Sequence, residues 1–223
     1  MAAYRHPIIA SEGWFLIGVA FAVAAIVNHF FGLIPSLPIW GIVILLLYLF
    51  RDPPRKIPPS PLGIVSPVDG KVIAIQQDHD YFLNRDAIRI SLKMHRLGIY
   101  STRSPMEGRI MQQWFNVPEA GKENAGAGMK EGRTFAQWFQ SDEGDDLVVC
   151  TATDMITRRP GCLAHAGDRI GQGQRCGFLH FGAVVNLFLP TNTRVTVKVG
   201  DHVLAGTDII ATLIHKPTTS NGN

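Results

Sequence analysis

Gly177-Phe178-Leu179-His180-Phe181-Gly182-Ala183-Val184-Val185-Asn186-Leu187-Phe188-Leu189-Pro190 is the stretch around which the chain is organised. It reads as an apolar strand interrupted by one Gly-Ala step. Residues 184 to 189 alternate or run apolar, as a buried strand does. The plain reading is a core strand carrying a glycine bulge.

Outward from this stretch, residues 64 to 216 read as mostly β. Short runs rich in Val, Ile and Phe alternate with Gly, Asp and Pro turns, as in Gly70–Ile75, Ala87–Leu92 and Arg194–Val199. Thr134–Trp138 and parts of 150–158 are the best candidates for short helices. An internal repeat is present. Gly167-Asp168-Arg169-Ile170-Gly171-Gln172-Gly173 and Gly200-Asp201-His202-Val203-Leu204-Ala205-Gly206 share the form Gly-Asp-x-x-x-x-Gly, and an apolar strand follows each. Gly supplies positive φ, and Asp bonds back into its own turn. The pattern resembles the hairpins of barrel-sandwich hybrid domains. No lysine stands at a hairpin tip as an attachment point, so a carrier role is not supported. The expectation is a mainly β, barrel-sandwich-like domain built from two related halves and preceded by an N-terminal hydrophobic helical hairpin.

That hairpin rests on two apolar runs. Trp14 to Ile34 is apolar except for Asn28 and His29, and is long enough to span a bilayer. Pro35-Ser36-Leu37-Pro38 reads as the turn, and Ile39 to Phe50 is a second, shorter run that crosses with help from Leu37 and local thinning or forms a re-entrant hairpin. Arg5 precedes the first run; Arg51, Arg55 and Lys56 follow the second, and the loop between carries no positive charge. The positive-inside rule then puts both ends and the globular domain in the cytoplasm, at the inner membrane. The expected division is a membrane anchor over 1–50, a Pro-rich linker over 51–63, the β domain over 64–216 and a tail over 217–223. Five prolines between Pro53 and Pro61 make the linker stiff and extended, a spacer between lipid and domain.

Composition narrows the function classes. Only 17% of the 223 residues are charged, which is apolar for a soluble protein. The net charge of +3, without a Lys/Arg run interleaved with aromatics, does not describe a nucleic-acid binder. It is compatible with a surface near anionic lipid. Cys150, Cys162 and Cys176 have no metal spacing and an odd count, so neither a metal site nor a disulfide framework is expected.

Ser66-Pro67-Val68-Asp69-Gly70-Lys71-Val72 is ordinary turn chemistry before a strand when taken alone. Taken with Phe181-Gly182-Ala183, the apolar strand ending in Leu189-Pro190, and Phe50-Arg51-Asp52-Pro53 of the linker, it resembles the phosphatidylserine decarboxylases of the short, membrane-anchored bacterial and archaeal type. The resemblance runs from the hydrophobic pair to Pro190 and beyond, and is weakest in the middle third. It implies a pyruvoyl enzyme of phospholipid biosynthesis that converts phosphatidylserine to phosphatidylethanolamine and carbon dioxide. In that family the chain cleaves itself before a serine, which becomes the pyruvoyl group. Here that position is Ala183, and Gly182 is the residue on the other side of the scissile bond.

The resemblance also assigns roles. Asp69 matches an aspartate that assists cleavage by orienting a basic partner. The family segment Asp-x-His-x-Asn-Arg-x-Pro aligns with Gly98-Ile99-Tyr100-Ser101-Thr102-Arg103-Ser104-Pro105, so Tyr100 stands for the histidine and Gly98 for the acid. Arg103 matches. Arg158 and Arg159 match a basic pair, for which solvated surface arginines are the alternative. Arg103 and His180 are candidates for holding a lipid headgroup. His95 lies five residues from Tyr100, on the opposite face of a strand, and reads as a structural or surface residue. Pyruvoyl formation requires a hydroxyl to attack the preceding carbonyl, and the hydroxyl needs a base. A methyl group can do neither step, and Gly177 to Pro190 contains no serine or threonine. Two readings stand: a decarboxylase held as a non-cleavable precursor or degenerate member, and a non-catalytic membrane-anchored domain that binds a phospholipid or a partner. The expected partners are a phospholipid membrane, a phosphatidylserine-like lipid and a second copy of the chain as a homodimer.

Overall fold

The computed structural model describes residues 9–10, 13–95, 98–115, 133–153, 164–179 and 183–214. Helix α1 (Trp14–Phe31) and helix α2 (Leu33–Leu49) form the N-terminal hairpin. The turn falls at Gly32, not at Pro35–Pro38. Gly32 has φ 86°, which a side chain would strain, and its N–H reaches Asn28 O at 3.1 Å. Pro35 lies in the first turn of α2, where its missing N–H costs no intrahelical bond. Ser36 Oγ donates to Leu33 O at 2.8 Å and lies 3.3 Å from Asn28 Oδ1, so the polar groups of the hairpin satisfy one another. The rings of Phe21 and Trp40 meet edge to face at 5.3 Å. Most remaining apolar side chains of the pair are exposed, Phe15 and Ile34 at 79% and 82%. Among the described residues, α1 is the one helix long and apolar enough to cross a membrane.

Thirteen strands follow among the described residues. β1 (Gly63–Val65) pairs with β13 (Ile209–Thr212), which also pairs with β11 (Arg194–Val195). β4 (Ser101–Arg103) pairs with β9 (Arg175–Phe178). The remaining eight make one curled antiparallel sheet. Its spatial order is β12 (His202–Val203), β2 (Gly70–Asp80), β3 (Arg85–Met94), β10 (Val184–Pro190), β7 (Asp146–Thr153), β6 (Arg133–Gln140), β5 (Gly108–Phe115) and β8 (Arg169–Ile170).

This order is a palindrome of two equivalent halves, with the pseudo-twofold axis between β10 and β7. The halves open on matching segments: Ser66-Pro67-Val68-Asp69-Gly70-Lys71-Val72 and Ser104-Pro105-Met106-Glu107-Gly108-Arg109-Ile110. In each, the serine hydroxyl donates to the carbonyl two residues on, Val68 O or Met106 O, at 2.7 Å. In each, a side chain in place of the glycine would collide with the facing carbonyl, Lys93 O or Gln140 O. The Gly-Asp repeat closes the two halves alike. The Asp168 and Asp201 carboxylates accept from the backbone N–H of His165 and Lys198, both at 2.8 Å. Two related halves were legible from that repeat, but the Ser104–Ile110 copy extends it to the strands themselves.

The opening stretch is not one bulged strand. Gly177 and Phe178 end β9 in the two-stranded ribbon, and Val184 begins β10 at the centre of the large sheet. The chain changes sheets between Phe178 and Val184. The expected helix over Thr134–Trp138 is strand β6, which pairs along its length with β7. Both faces of β6 are covered: Phe139 lies in the main core and Ala136 in a second cluster with Val148 and Phe188 on the outer face. Covering both faces removes the polar alternation that marks a half-exposed strand. The first residues of the other expected helix, 150–153, belong to β7, and 154–158 fall outside the described residues. Cys150 is not disulfide-bonded, whereas Cys176 is, against the expectation of no disulfide framework.

Phe50 joins the anchor to the domain. Its ring stacks on Phe178 at 5.2 Å, and Tyr100 packs behind Phe178 at 5.8 Å. Ala10 N–H donates to Phe50 O at 2.7 Å, and Ile9 bridges Arg51. Apolar burial and one short β contact thus bind the base of the hairpin to the β domain.

Candidate functional site

Strand β3 brings two of the singled-out residues together. Met94, at its end, is the Cα partner of Gly70 on one side, and on the other its N–H donates to Ala183 O at 3.0 Å. Asp69 and Ala183 therefore flank the end of one strand, about 10 Å apart by two strand spacings. Ala183 is fully buried and Asp69 is 6% exposed. His180, Phe181 and Gly182, with Arg158 and Arg159, lie outside the described residues.

Both carboxylate oxygens of Asp69 are engaged. Oδ2 lies 2.6 Å from Arg55 Nη2, and Oδ1 accepts the Ala205 N–H at 2.7 Å. The basic partner of this aspartate is thus an arginine from the linker. An arginine stays protonated and cannot act as a base at neutral pH.

Tyr100 is a core residue at 2% exposure. Its carbonyl accepts the Leu179 N–H at 2.7 Å, which ties it to the organising stretch. Burial, and next the neighbouring Tyr48, push its hydroxyl above the usual phenol range. A buried phenol held neutral is a poor stand-in for an imidazole base.

Arg103 is turned to the linker. Its Nη2 lies 3.0 Å from Asp52 Oδ1, and Nη1 donates to Gly173 O at 3.1 Å. Arg175 Nε lies 3.1 Å from the other carboxylate oxygen of Asp52, and Ser101 Oγ donates to Asp52 Oδ1 at 3.0 Å. Asp52 is 3% exposed. Burial lowers the Arg103 pKa from its ordinary value, and the Asp52 charge opposes that shift. Charges this deep persist only when paired. The linker is therefore a strap docked at two points, and not the free spacer its prolines suggest. Asp52, Arg55 and Arg175 were not among the site residues the sequence offered; the acid and base inside a proline-rich segment were the available signal for the first two.

Arg103 also lines a small cavity inside the curl of the sheet, of about 20 Å³, with Val68, Thr102, Gln137, Thr151 and Val185. That is room for about one water molecule. His95 is not alone: its Nε2 lies 3.1 Å from His202 Nδ1, and both rings are exposed. Among the described residues, no three His, Cys, Asp or Glu side chains group as metal ligands.

A pyruvoyl group does not fit the residues present. Ala183 has no hydroxyl to become the ketone, and Asp69 is held by an arginine and a backbone amide. No step through that group follows from this site.

The family model for phosphatidylserine decarboxylase matches residues 43–211. The phosphatidylserine decarboxylase proenzyme of Nitrosomonas eutropha is 37% identical over 216 residues, covering 93% of this chain and 96% of the relative. The proenzymes of Aromatoleum aromaticum and Cupriavidus metallidurans are 36% and 32% identical, each over 94% of this chain and 98% and 97% of their own lengths. No solved structure gives a significant match. Matched by the family model over most of its length and by these relatives along nearly the whole of theirs, the chain belongs to the phosphatidylserine decarboxylase family, which serves phospholipid synthesis.

Proposed function

We propose that this chain is a membrane-anchored family member that stays whole, forms no pyruvoyl group and retains the family's lipid recognition without its decarboxylation. The carrying observation is the buried methyl of Ala183 where self-processing needs a hydroxyl. The Arg55–Asp69 pair supports it, because the aspartate no longer serves a base. In this reading the anionic headgroup of a phosphatidylserine-like lipid enters beside Gly182-Ala183. Asp69 and Tyr100 frame the pocket, and His180, Arg158 and Arg159 contact the headgroup with Arg103 as support. A guanidinium suits phosphate because its planar fork donates two bonds at once. In the same reading the domain faces the cytoplasm at the inner membrane, and the chain works there as a homodimer.

Intact mass spectrometry of the purified full chain tests the reading. One species near 24.5 kDa is expected. Two fragments divided between Gly182 and Ala183 would overturn it.

A further inference from the structure

The two halves of the fold provide an internal comparison at one exposed row of side chains. In the first half, neighbouring strands place His202 opposite Lys71 and Lys71 opposite Lys93, and Val184 follows on β10. In the second half, the equivalent row is Arg169, Arg109, Gln140 and Asp146. Side chains paired this way share one face of the sheet.

The second row is balanced. Arg169 is paired with both Glu107 and Asp142, and Gln140 Nε2 donates to Asp146 Oδ1 at 3.0 Å. The first row has no such compensation. Lys71, Lys93, His95 and His202 are all exposed, and among the described residues no carboxylate lies within ion-pair distance of either lysine. The nearest acids in sequence are committed elsewhere: Asp69 to Arg55, and Asp201 to the Lys198 N–H. Like charges directly opposite on a sheet destabilise it. The other copy also sets two cations opposite each other, Arg169 and Arg109, but it brings Glu107 and Asp142 to Arg169 and places a glutamine on the other side of Arg109. An uncompensated pair of cations, kept at a cost to the fold, is the mark of a site for an anion.

Position and surroundings indicate which anion. The row ends at Val184, the residue after Ala183, and Lys71 lies two residues from Asp69. Exposed aliphatic side chains lie within three residues of it in sequence: Ile73 at 42%, Leu204 at 46% and Val199 at 60%. Two lysines and a histidine pair suit one phosphate group rather than a polyanion track, and apolar neighbours in sequence suit acyl chains rather than a free ion. The apolar α1 puts such lipids within the chain's reach. We propose that the Lys71–Lys93–His95–His202 surface binds the phosphodiester headgroup of an anionic phospholipid. This surface goes beyond the Ala183 pocket, and its occupancy does not depend on whether the chain cleaves itself.

The test uses the full chain in a neutral detergent with short-chain lipids added as probes. Dihexanoyl phosphatidylserine should raise the thermal midpoint, and dihexanoyl phosphatidylcholine and inorganic phosphate at equal concentration should raise it much less. Lys71→Gln with Lys93→Gln should weaken the phosphatidylserine effect about 25-fold, at roughly fivefold per lost cation. Without lipid, the same double variant should unfold no lower than wild type, because the repulsion is relieved. Lys71→Arg with Lys93→Arg should keep binding, and Arg109→Gln in the other half should leave it unchanged. Equal binding by the glutamine double variant would overturn the proposal. Stabilisation by inorganic phosphate equal to that by phosphatidylserine would overturn the lipid assignment. Either result can be told apart from self-cleavage, which the intact mass reads separately.

Discussion

Arg55 Nη2 lies 2.6 Å from Asp69 Oδ2, so the linker supplies the cation beside this aspartate. Both side chains are largely buried, at 12% and 7% exposure. Removing one partner of a buried pair leaves an uncompensated charge, which costs about 3 kcal/mol or more. Arg55→Ala should therefore lower the unfolding free energy by about that amount. Arg55→Ala with Asp69→Asn should recover part of the loss, because asparagine still accepts the Ala205 N–H. Denaturant unfolding in detergent reads both; a fully additive double variant would mean that the pair is not coupled.

The strap makes the position of truncation decisive. A chain beginning at Arg51 keeps Asp52 with Arg103 and Arg175, and Arg55 with Asp69. A chain beginning at Pro61 loses both acid and base from the strap and leaves buried charges unpaired. The first should fold without the helices. The second should unfold at a lower midpoint or collect in the insoluble fraction. Equal stability of the two would show that the linker carries no folding energy.

Membrane retention should resist salt. Inserted in a bilayer, the apolar surfaces of α1 and α2 would hold the chain by burial, which ionic strength does not screen. A high-salt wash of the membrane fraction should leave the full-length protein in the pellet. Release by salt alone would mean that the Trp14–Phe50 pair is not inserted.

Restoring the hydroxyl should not restore processing. Ala183→Ser supplies the nucleophile but no base, since Tyr100 is a buried phenol and Asp69 is occupied by Arg55. Adding Tyr100→His should give slow self-cleavage, and adding Gly98→Asp should increase it. Rapid cleavage by Ala183→Ser alone, followed by intact mass over time, would identify the chain as a decarboxylase precursor blocked at one residue.

Asp80 gives a pH signature. Its carboxylate is fully buried and accepts the Phe82 N–H at 3.0 Å, with Arg85 Nε at 3.4 Å. Burial raises its pKa above the ordinary 3.8, against the opposing pull of those hydrogen bonds and Arg85. The folded state thus holds this proton more tightly than the unfolded state does. The associated stability is complete below the ordinary carboxylate value and is lost as pH rises through the raised folded value. Asp80→Asn cannot titrate, so wild-type stability relative to this variant should fall with rising pH across that window and then level off. A difference that rises with pH would contradict the assignment.

Much of this protein is determined by short windows of sequence. The apolar runs over Trp14–Phe50, the prolines of the linker and the Gly-Asp turns act locally, through burial, fixed φ and backbone bonds within a few residues. The motifs that first show the family likeness are equally short, although the likeness itself runs along most of the chain. Tertiary structure alone decided the rest, because it depends on contacts between distant residues. No local rule predicts that Asp52 will lie against Arg103 and Arg175, or that Arg55 will take the place of a base beside Asp69. Thr134–Trp138 became a strand because β5 and β7 were available on both sides to pair with it, and because apolar clusters covered both its faces. The opening stretch divided into β9 and β10 because its two halves found partners in different sheets. The second row of charges acquired its balance from Glu107 and Asp142, which chain folding brings to Arg169, while Lys71 and Lys93 were brought together without an acid between them.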